Sequence, residues 1–364
     1  MNYKLSLILT LITPLLLLSC SGKRVQTSPR IAQTPIHSST REQHTQPSLG
    51  TAIYRPTTTQ QSRPIPHTVP TLPRRQTPPP TSRPNTHQTP KYGESHYVKK
   101  FKLPNVVRES SGLIRVDNRL WTLNDSGGKP ILYQIDERNG RVVKKLKITN
   151  ARNRDWEDIA YDDNYVYIGD IGNNRGDRKD LKVYKIPRAS LRTSKSVRAE
   201  VIYFKYSDQK DFRSRAHKNN YDCEAMVAHN GKLYLFSKNW QDQKTRLYEL
   251  TTHAGKHTAK YISTFDIGGM VTGATINEEL DILLLTTYSS LLSVKVWAFT
   301  NYSGHNFFNG DKKQLNFKSP LQGQIEGVTF AGNYKAYLSS ESFKRYIFSF
   351  DASLYEVDFS GEFE

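Results

Sequence analysis

The sequence predicts an all-β fold: a five-bladed β-propeller, with a six-bladed arrangement as the alternative, following a disordered N-terminal tether. Three observations lead there. Five segments after residue 95 share one order of parts, and they recur roughly every fifty residues, the spacing of propeller blades. Each segment holds two short β-rich runs separated by a turn containing Asn, Asp or Gly. Residues 20–95, in contrast, are rich in Pro, Thr, Ser, Gln and Arg and poor in large apolar side chains, so they cannot offset the entropy of ordering.

Residues 1–19 read as a secretory leader. Lys4 supplies the positive start, Leu5 to Leu18 form an apolar run too short for a stable span, and Leu17-Leu18-Ser19-Cys20 has a cleavage context. The L-x-S-C order resembles the bacterial lipobox, which implies that Cys20 is lipidated and becomes the first mature residue. Acyl chains such as palmitate would then hold the protein to a membrane, each buried methylene contributing about 0.8 kcal/mol. Ser21 in place of Asp implies the outer membrane of a bacterial envelope, on its periplasmic or its surface face. Residues 20–95 form the linker, and their prolines favour extended polyproline II.

The propeller domain is expected over residues 96–364. Its units are ESSGLIRVDNRLWTLNDSG (109–127), DWEDIAYDDNYVYIGDIGN (155–173), DCEAMVAHNGKLYLFSKNW (222–240), MVTGATINEELDILLLTTYS (270–289) and QIEGVTFAGNYKAYLSSES (324–342). A third strand follows each: ILYQID, LKVYKI, TRLYEL, SVKVWAF and YIFSF. A fourth follows most of them: VVKKLKI, EVIYFKY and YISTFDI. The run HYVKKFKL (96–103) precedes the first unit and is expected to pair into the last blade, closing the ring.

Composition narrows the function classes. The chain carries 52 Lys and Arg against 34 Asp and Glu, a formal charge of +18, which favours anionic partners. In an anchored protein these are anionic envelope polymers or headgroups met by the basic linker. No nucleic-acid partner is expected, because RNP, zinc-finger and helix-turn-helix patterns are lacking. With Cys20 lipidated, Cys223 stands alone and no disulfide is expected. G-x-S-x-G, H-E-x-x-H and paired Cys ligands are also missing. Only His217 is kept as an acid/base group, and Trp156 and Tyr221 as ring-stacking surfaces.

The acids explain themselves by geometry. In a propeller the first strand of a blade lines the axis and the second returns antiparallel, so the start of one and the end of the other share a face. Candidate ligand-binding residues at that mouth are Glu109, Asn124, Asp125, Asp155, Asp158, Lys238, Glu326 and Glu341. Gathered carboxylates repel unless a cation, a proton or a basic side chain intervenes. A hard cation such as Ca²⁺, salt bridges to Lys238 and Arg residues, or repeated capping of strand entries would each resolve the repulsion.

The motifs WTLNDSGG, DWEDIA with YIGDIGNN, YDCEAM with LYLFSK, and QIEGVTF with YLSSE resemble a largely uncharacterised family of secreted bacterial β-propeller lipoproteins, over roughly residues 105–350. The likeness to NHL-type, gluconolactonase and phytase-like propellers is more distant. It implies Ca²⁺ as cofactor and Glu157, Asp170, Asn173 and Glu224 as metal ligands. The expected function is a membrane-anchored envelope lipoprotein whose propeller binds a ligand or protein partner at an acidic axial mouth. The alternatives are a calcium-dependent hydrolase of the lactonase or phosphoesterase type and a purely structural scaffold.

Overall fold

The computed structural model describes residues 95–289, 293–317, 321, 323–345 and 348–363. The leader, Cys20 and residues 20–94 of the linker lie outside the described residues. The described part is all-β in its regular structure apart from short helical turns.

Chain order is as follows. β1 (His96–Lys102) comes first. β2 (Ser110–Val116), β3 (Arg119–Asn124), β4 (Ile131–Ile135) and β5 (Val142–Ile148) make one antiparallel meander. β6 (Trp156–Tyr161), β7 (Tyr165–Asp170) and β8 (Lys182–Pro187) continue through the two-residue β9 (Ser196–Val197) to β10 (Glu200–Tyr206), which pairs back on β8. β11 (Asp222–His229), β12 (Lys232–Lys238), β13 (Thr245–Thr251) and β14 (Gly255–Phe265) form the third meander. β15 (Met270–Asn277), β16 (Ile282–Tyr288), β17 (Val294–Thr300) and β18 (Asp311–Gln314) form the fourth. The last sheet takes β19 (Ile325–Gly332) and β20 (Lys335–Ser340), omits the small hairpin β21 (Phe343–Arg345) and β22 (Phe348–Phe350), and continues with β23 (Ser353–Asp358). β1 then adds to β23, in the order β1-β23-β20-β19.

Two details differ from the expectation drawn from sequence. YIFSF does not supply the third strand of the last unit. Its described residues, Phe348–Phe350, form β22 and leave Phe350 exposed, while SLYEVD buries Ser353, Leu354 and Val357 and pairs along all of β20. The fourth sheet also has an outer strand, DKKQ, whose charged composition hid it.

The first strands of the meanders touch one another in cyclic order: β2 with β6, β6 with β11, β11 with β15, β15 with β19, and β19 with β2. Small residues permit this approach. A Cβ on Gly112 would lie 2.5 Å from the Ile159 nitrogen, and one on Gly327 would lie 2.3 Å from the Ser111 carbonyl oxygen. Polar side chains tie the strands further. Ser111 Oγ donates to the Glu157 carbonyl, and Thr272 Oγ1 donates to that of Ile325 at 2.6 Å. Asp158 accepts N–H bonds from Ile159 at 2.8 Å and Met226 at 2.7 Å, so one carboxylate ties β6 to β11.

The apolar core lies between sheets, in clusters that each join two successive meanders. One joins Trp121 and Leu123 to Trp156 and Ile168; another joins Tyr167 and Val183 to Met226 and Leu235; a third joins Phe236 and Leu247 to Leu283 and Phe299. The fourth joins Leu284 and Val296 to Val328 and Leu338, and the fifth joins Leu113 and Leu120 to Tyr337 and Leu354. Alternation in each strand presents one face to the sheet before it and one to the sheet after it. Outer strands also pair in parallel, β5 with β9 and β10 with β14.

Candidate metal centre and acidic mouth

Register fixes which residues share the mouth. The terminal pairs of the inner hairpins are Ser110 with Asn124, Trp156 with Asp170, Asp222 with Lys238, Met270 with Tyr288, and Ile325 with Ser340. Loops leaving these ends carry the acids, so groups more than two hundred residues apart in sequence feel one another. Burial, then Asp125, Glu224, Asp155 and Asp222, push the Glu157 carboxyl well above its ordinary range. Burial together with Glu326, Asp125, Glu109 and Glu224 does the same to Glu341.

The tightest group is Asp125, Asp155 and Glu157, whose carboxylate oxygens lie within 4.8 Å of one another. Three local devices hold it. Asn153 Nδ2 donates to the carbonyls of Asn124 and Asp125, both at 2.8 Å, joining the NDSGG loop to the DWED entry. The Asp155 carbonyl accepts N–H bonds from Ile171 at 3.1 Å and Gly172 at 3.2 Å. Gly172 itself lies against the acids: a Cβ there would fall 2.0 Å from Glu157 Oε1 and 2.6 Å from Asp155 Oδ2. Glu157 is 4 % exposed, and its carboxylate has no hydrogen bond or ion pair among the described residues. Burial and neighbouring carboxylates raise Asp125 to about 6 and Asp155 to about 8. These are hard oxygen donors crowded together, with the Arg178 guanidinium 3.9 Å from Asp155 at their edge, and carboxylate oxygens are the donors that Ca²⁺ accepts.

The other sequence-predicted ligands sit in different company. Asp170 is fully buried and pairs with Arg178, Nη2 to Oδ1 at 2.7 Å, and with Lys182 at 3.4 Å. Arg178 also donates to the Gly172 carbonyl at 2.6 Å, so it braces the GDIGNN loop behind the acidic group. The Asn173 side chain accepts from the Arg178 N–H at 3.0 Å and donates to the Tyr221 carbonyl at 3.1 Å. Glu224 takes both its bonds from Lys238, at 2.7 and 2.6 Å. The Lys238 ammonium also lies 4.8 Å from the Trp240 ring and 5.1 Å from that of Tyr288.

Of the remaining candidates, Asp158 ties strands together as described, and Asn124 donates to the Val106 carbonyl at 2.9 Å. Glu109 pairs with Arg108 at 3.4 Å on the rim, and its carbonyl accepts the Asp125 N–H at 2.9 Å. Glu326 is 7 % exposed and has no polar partner among the described residues; burial and nearby carboxylates raise it to about 7, against the pull of Lys238. Trp156 is fully buried and packs on Tyr184, so it offers no ring to a ligand, and the His217 ring lies 4.2 Å from that of Trp240. Arg178, Gly172 and Asn153 escaped the sequence reading. The only local signal for Gly172 and Arg178 was their place in GDIGNNRGDR, beside the acids.

No family model matches the chain, and no curated protein matches it. Among solved structures it is similar to the gluconolactonase XC5397 of Xanthomonas campestris, at 10% identity and TM-score 0.42 over 72% of this chain and 89% of that one. It is also similar to the RRP9 WD40 repeats, at 8% identity and TM-score 0.32 over 75% and 96%. A third similarity, to a mitotic checkpoint complex, has 12% identity and TM-score 0.32; it covers 66% of this chain and 62% of the other.

Proposed function

We propose that this chain is an envelope lipoprotein, anchored through Cys20, whose five-bladed propeller binds a ligand at its acidic mouth with the help of Ca²⁺. Asp125, Asp155 and Glu157 hold the cation, and residues 20–95 carry the mouth away from the membrane. The blade count rests on the cyclic contact of β2, β6, β11, β15 and β19. The observation that carries the binding reading is the convergence of three carboxylates within 4.8 Å, backed by a glycine and including a buried Glu157 without a partner. A bound cation would supply positive charge there and leave coordination positions for oxygens of the ligand.

The test is thermal unfolding of the purified full chain with calcium and with chelator. Calcium at a hundredfold excess over Kd adds about 2.7 kcal/mol, and in a domain of this size each kcal/mol shifts Tm by about 2–4 °C. The calcium-dependent rise is expected in the native chain and is lost in Glu157→Gln and Asp155→Asn. Equal melting temperatures with calcium and chelator would remove the cation from the proposal.

The hydrolase reading is favoured by one observation, the unpartnered Glu326, whose carboxyl at about 7 suits a general base. Turnover of simple lactones or phosphoesters that needs calcium and is lost in Glu326→Gln would convert the binder into an enzyme. A structural scaffold predicts neither calcium dependence nor turnover.

A further inference from the structure

We propose that the Glu326 and Glu341 side of the mouth is a subsite for a primary ammonium group, so that the ligand of this protein carries an amine. The inference deepens the reading of the mouth as a ligand site but does not depend on the cation.

The backbone around Glu326 is held on both sides. Thr272 Oγ1 donates to the Ile325 carbonyl at 2.6 Å, and Gly327 packs so closely on β2 that a Cβ would meet the Ser111 oxygen at 2.3 Å. The Glu341 N–H donates to the Gln324 carbonyl at 2.9 Å, placing Glu341 beside the entry to β19. Glu326 is thus a positioned carboxylate, 7 % exposed, with no hydrogen bond or ion pair among the described residues. Lys238 draws on it, Asp125 and Asp222 push on it, and it pushes on Glu224 and Glu341. The cation within reach of its field, Lys238, gives bonds to both oxygens of Glu224. Lys238 is thereby shared among several carboxylates, and Glu326 itself has no direct ion-pair partner among the described residues.

The counter-charge on this side is an ammonium and not a second metal ion. A hard metal needs several oxygens converging on one point, and among the described residues only Asp125, Asp155 and Glu157 converge so. An ammonium has three donors and is satisfied by two or three acceptors at hydrogen-bond distance. The mouth already stabilises one buried ammonium in this manner, Lys238, through a two-oxygen carboxylate bond and two aromatic faces.

The experiment titrates the full chain calorimetrically with n-butylammonium and with 1-butanol as the uncharged control, in calcium and in chelator. An N-terminally acetylated Gly-Lys-Gly peptide and its side-chain-acetylated form show whether the amine is better presented free or on a peptide chain; binding by butylammonium or by the lysine peptide with its free side chain supports the subsite. Butylammonium is expected to bind and butanol not to. Glu326→Gln and Glu341→Gln should each weaken the amine about tenfold, equivalent to about 1.4 kcal/mol. Asp155→Asn should leave amine binding intact while abolishing calcium binding. Because both glutamine variants remove repulsion, their melting temperatures in chelator should equal or exceed that of the native chain. Amine binding without calcium binding would remove the cation and keep the subsite. No binding of butylammonium by the folded native chain, or undiminished binding in Glu326→Gln, overturns it. Loss of calcium affinity in Glu326→Gln as large as in Asp155→Asn also overturns it, because the metal would then occupy this side.

Discussion

At the scale of residues, the acids of the mouth divide by what answers their charge. Asp170 has Arg178, Glu224 has Lys238, and Asp158 has backbone N–H groups. Asp125 and Asp155 are answered only in part, by the Ser126 N–H and by Arg178 at 3.9 Å, while Glu157 and Glu326 have no hydrogen bond or ion pair among the described residues; these four mark the proposed binding sites. Gly172 is the residue on which the cation site turns. Its backbone φ is not in the left-handed region, so alanine there meets no backbone strain and acts by contact alone. A methyl group 2.0 Å from Glu157 Oε1 and 2.6 Å from Asp155 Oδ2 must displace both carboxylates. Gly172→Ala is therefore expected to weaken calcium about tenfold or more, about 1.4 kcal/mol. Its melting temperature in chelator should stay within a few degrees of the native value. Calorimetric calcium titration checks this, and an unchanged affinity would mean that the acids do not bind the cation from this side.

At the scale of elements, closure of the ring rests on β1. It pairs with β23 from His96–Asp358 to Lys102–Ser353, Lys100 bonds Glu356 at 2.8 Å, and Leu103 is buried between the last and first sheets. Deleting residues 1–103 exposes the edge of β23 and removes Leu103 and Phe101 from that cluster; a Leu lost from a core alone costs about 2–5 kcal/mol. Relative to a chain beginning at residue 95, the shorter one is expected to melt about 6–12 degrees lower, on the order of 3 kcal/mol, and to self-associate through the open edge. Equal melting curves would show that β23 closes the sheet unaided. The repeat of strand, turn and strand made this architecture legible, and HYVKKFKL was expected to close the ring because it lies ahead of the first unit, as its pairing with β23 bears out. YIFSF deceived because a short apolar run carries no information about its partner, whereas the alternation in SLYEVD is diluted by charge. The mouth was legible as a set of strand ends, yet not as pairs: which acid meets Arg178 or Lys238 depends on loop paths that residue spacing does not encode.

At the scale of the whole molecule, the acidic mouth sits in a chain of formal charge +18, and pH sets the two against each other. Burial and mutual repulsion raise Asp125 to about 6, Glu326 to about 7 and Asp155 to about 8 in the folded protein, whereas unfolded carboxyls titrate near 4. Between those limits the folded state keeps protons that the unfolded state has released, so stability falls as pH rises through roughly 4 to 8. Below that window both states are protonated, and the contribution is fully present. The overall positive charge works in the opposite sense, since deprotonation reduces it. Its charges are mostly at the surface, however, and are screened beyond about 8 Å at physiological ionic strength, while the carboxyls of the mouth repel at close range in a poorly solvated site. The local term therefore dominates. In chelator, melting temperature is expected to fall from pH 5 to pH 8. Calcium needs the deprotonated acids, so the rise that it produces should grow over the same interval and be smallest at pH 5. Scanning calorimetry at pH 5, 6.5 and 8, with calcium and with chelator, reads both trends from one set of samples. A chelator curve that rises with pH would mean that the mouth acids ionise freely in the folded protein, and a calcium effect independent of pH would place the cation away from Asp125 and Asp155.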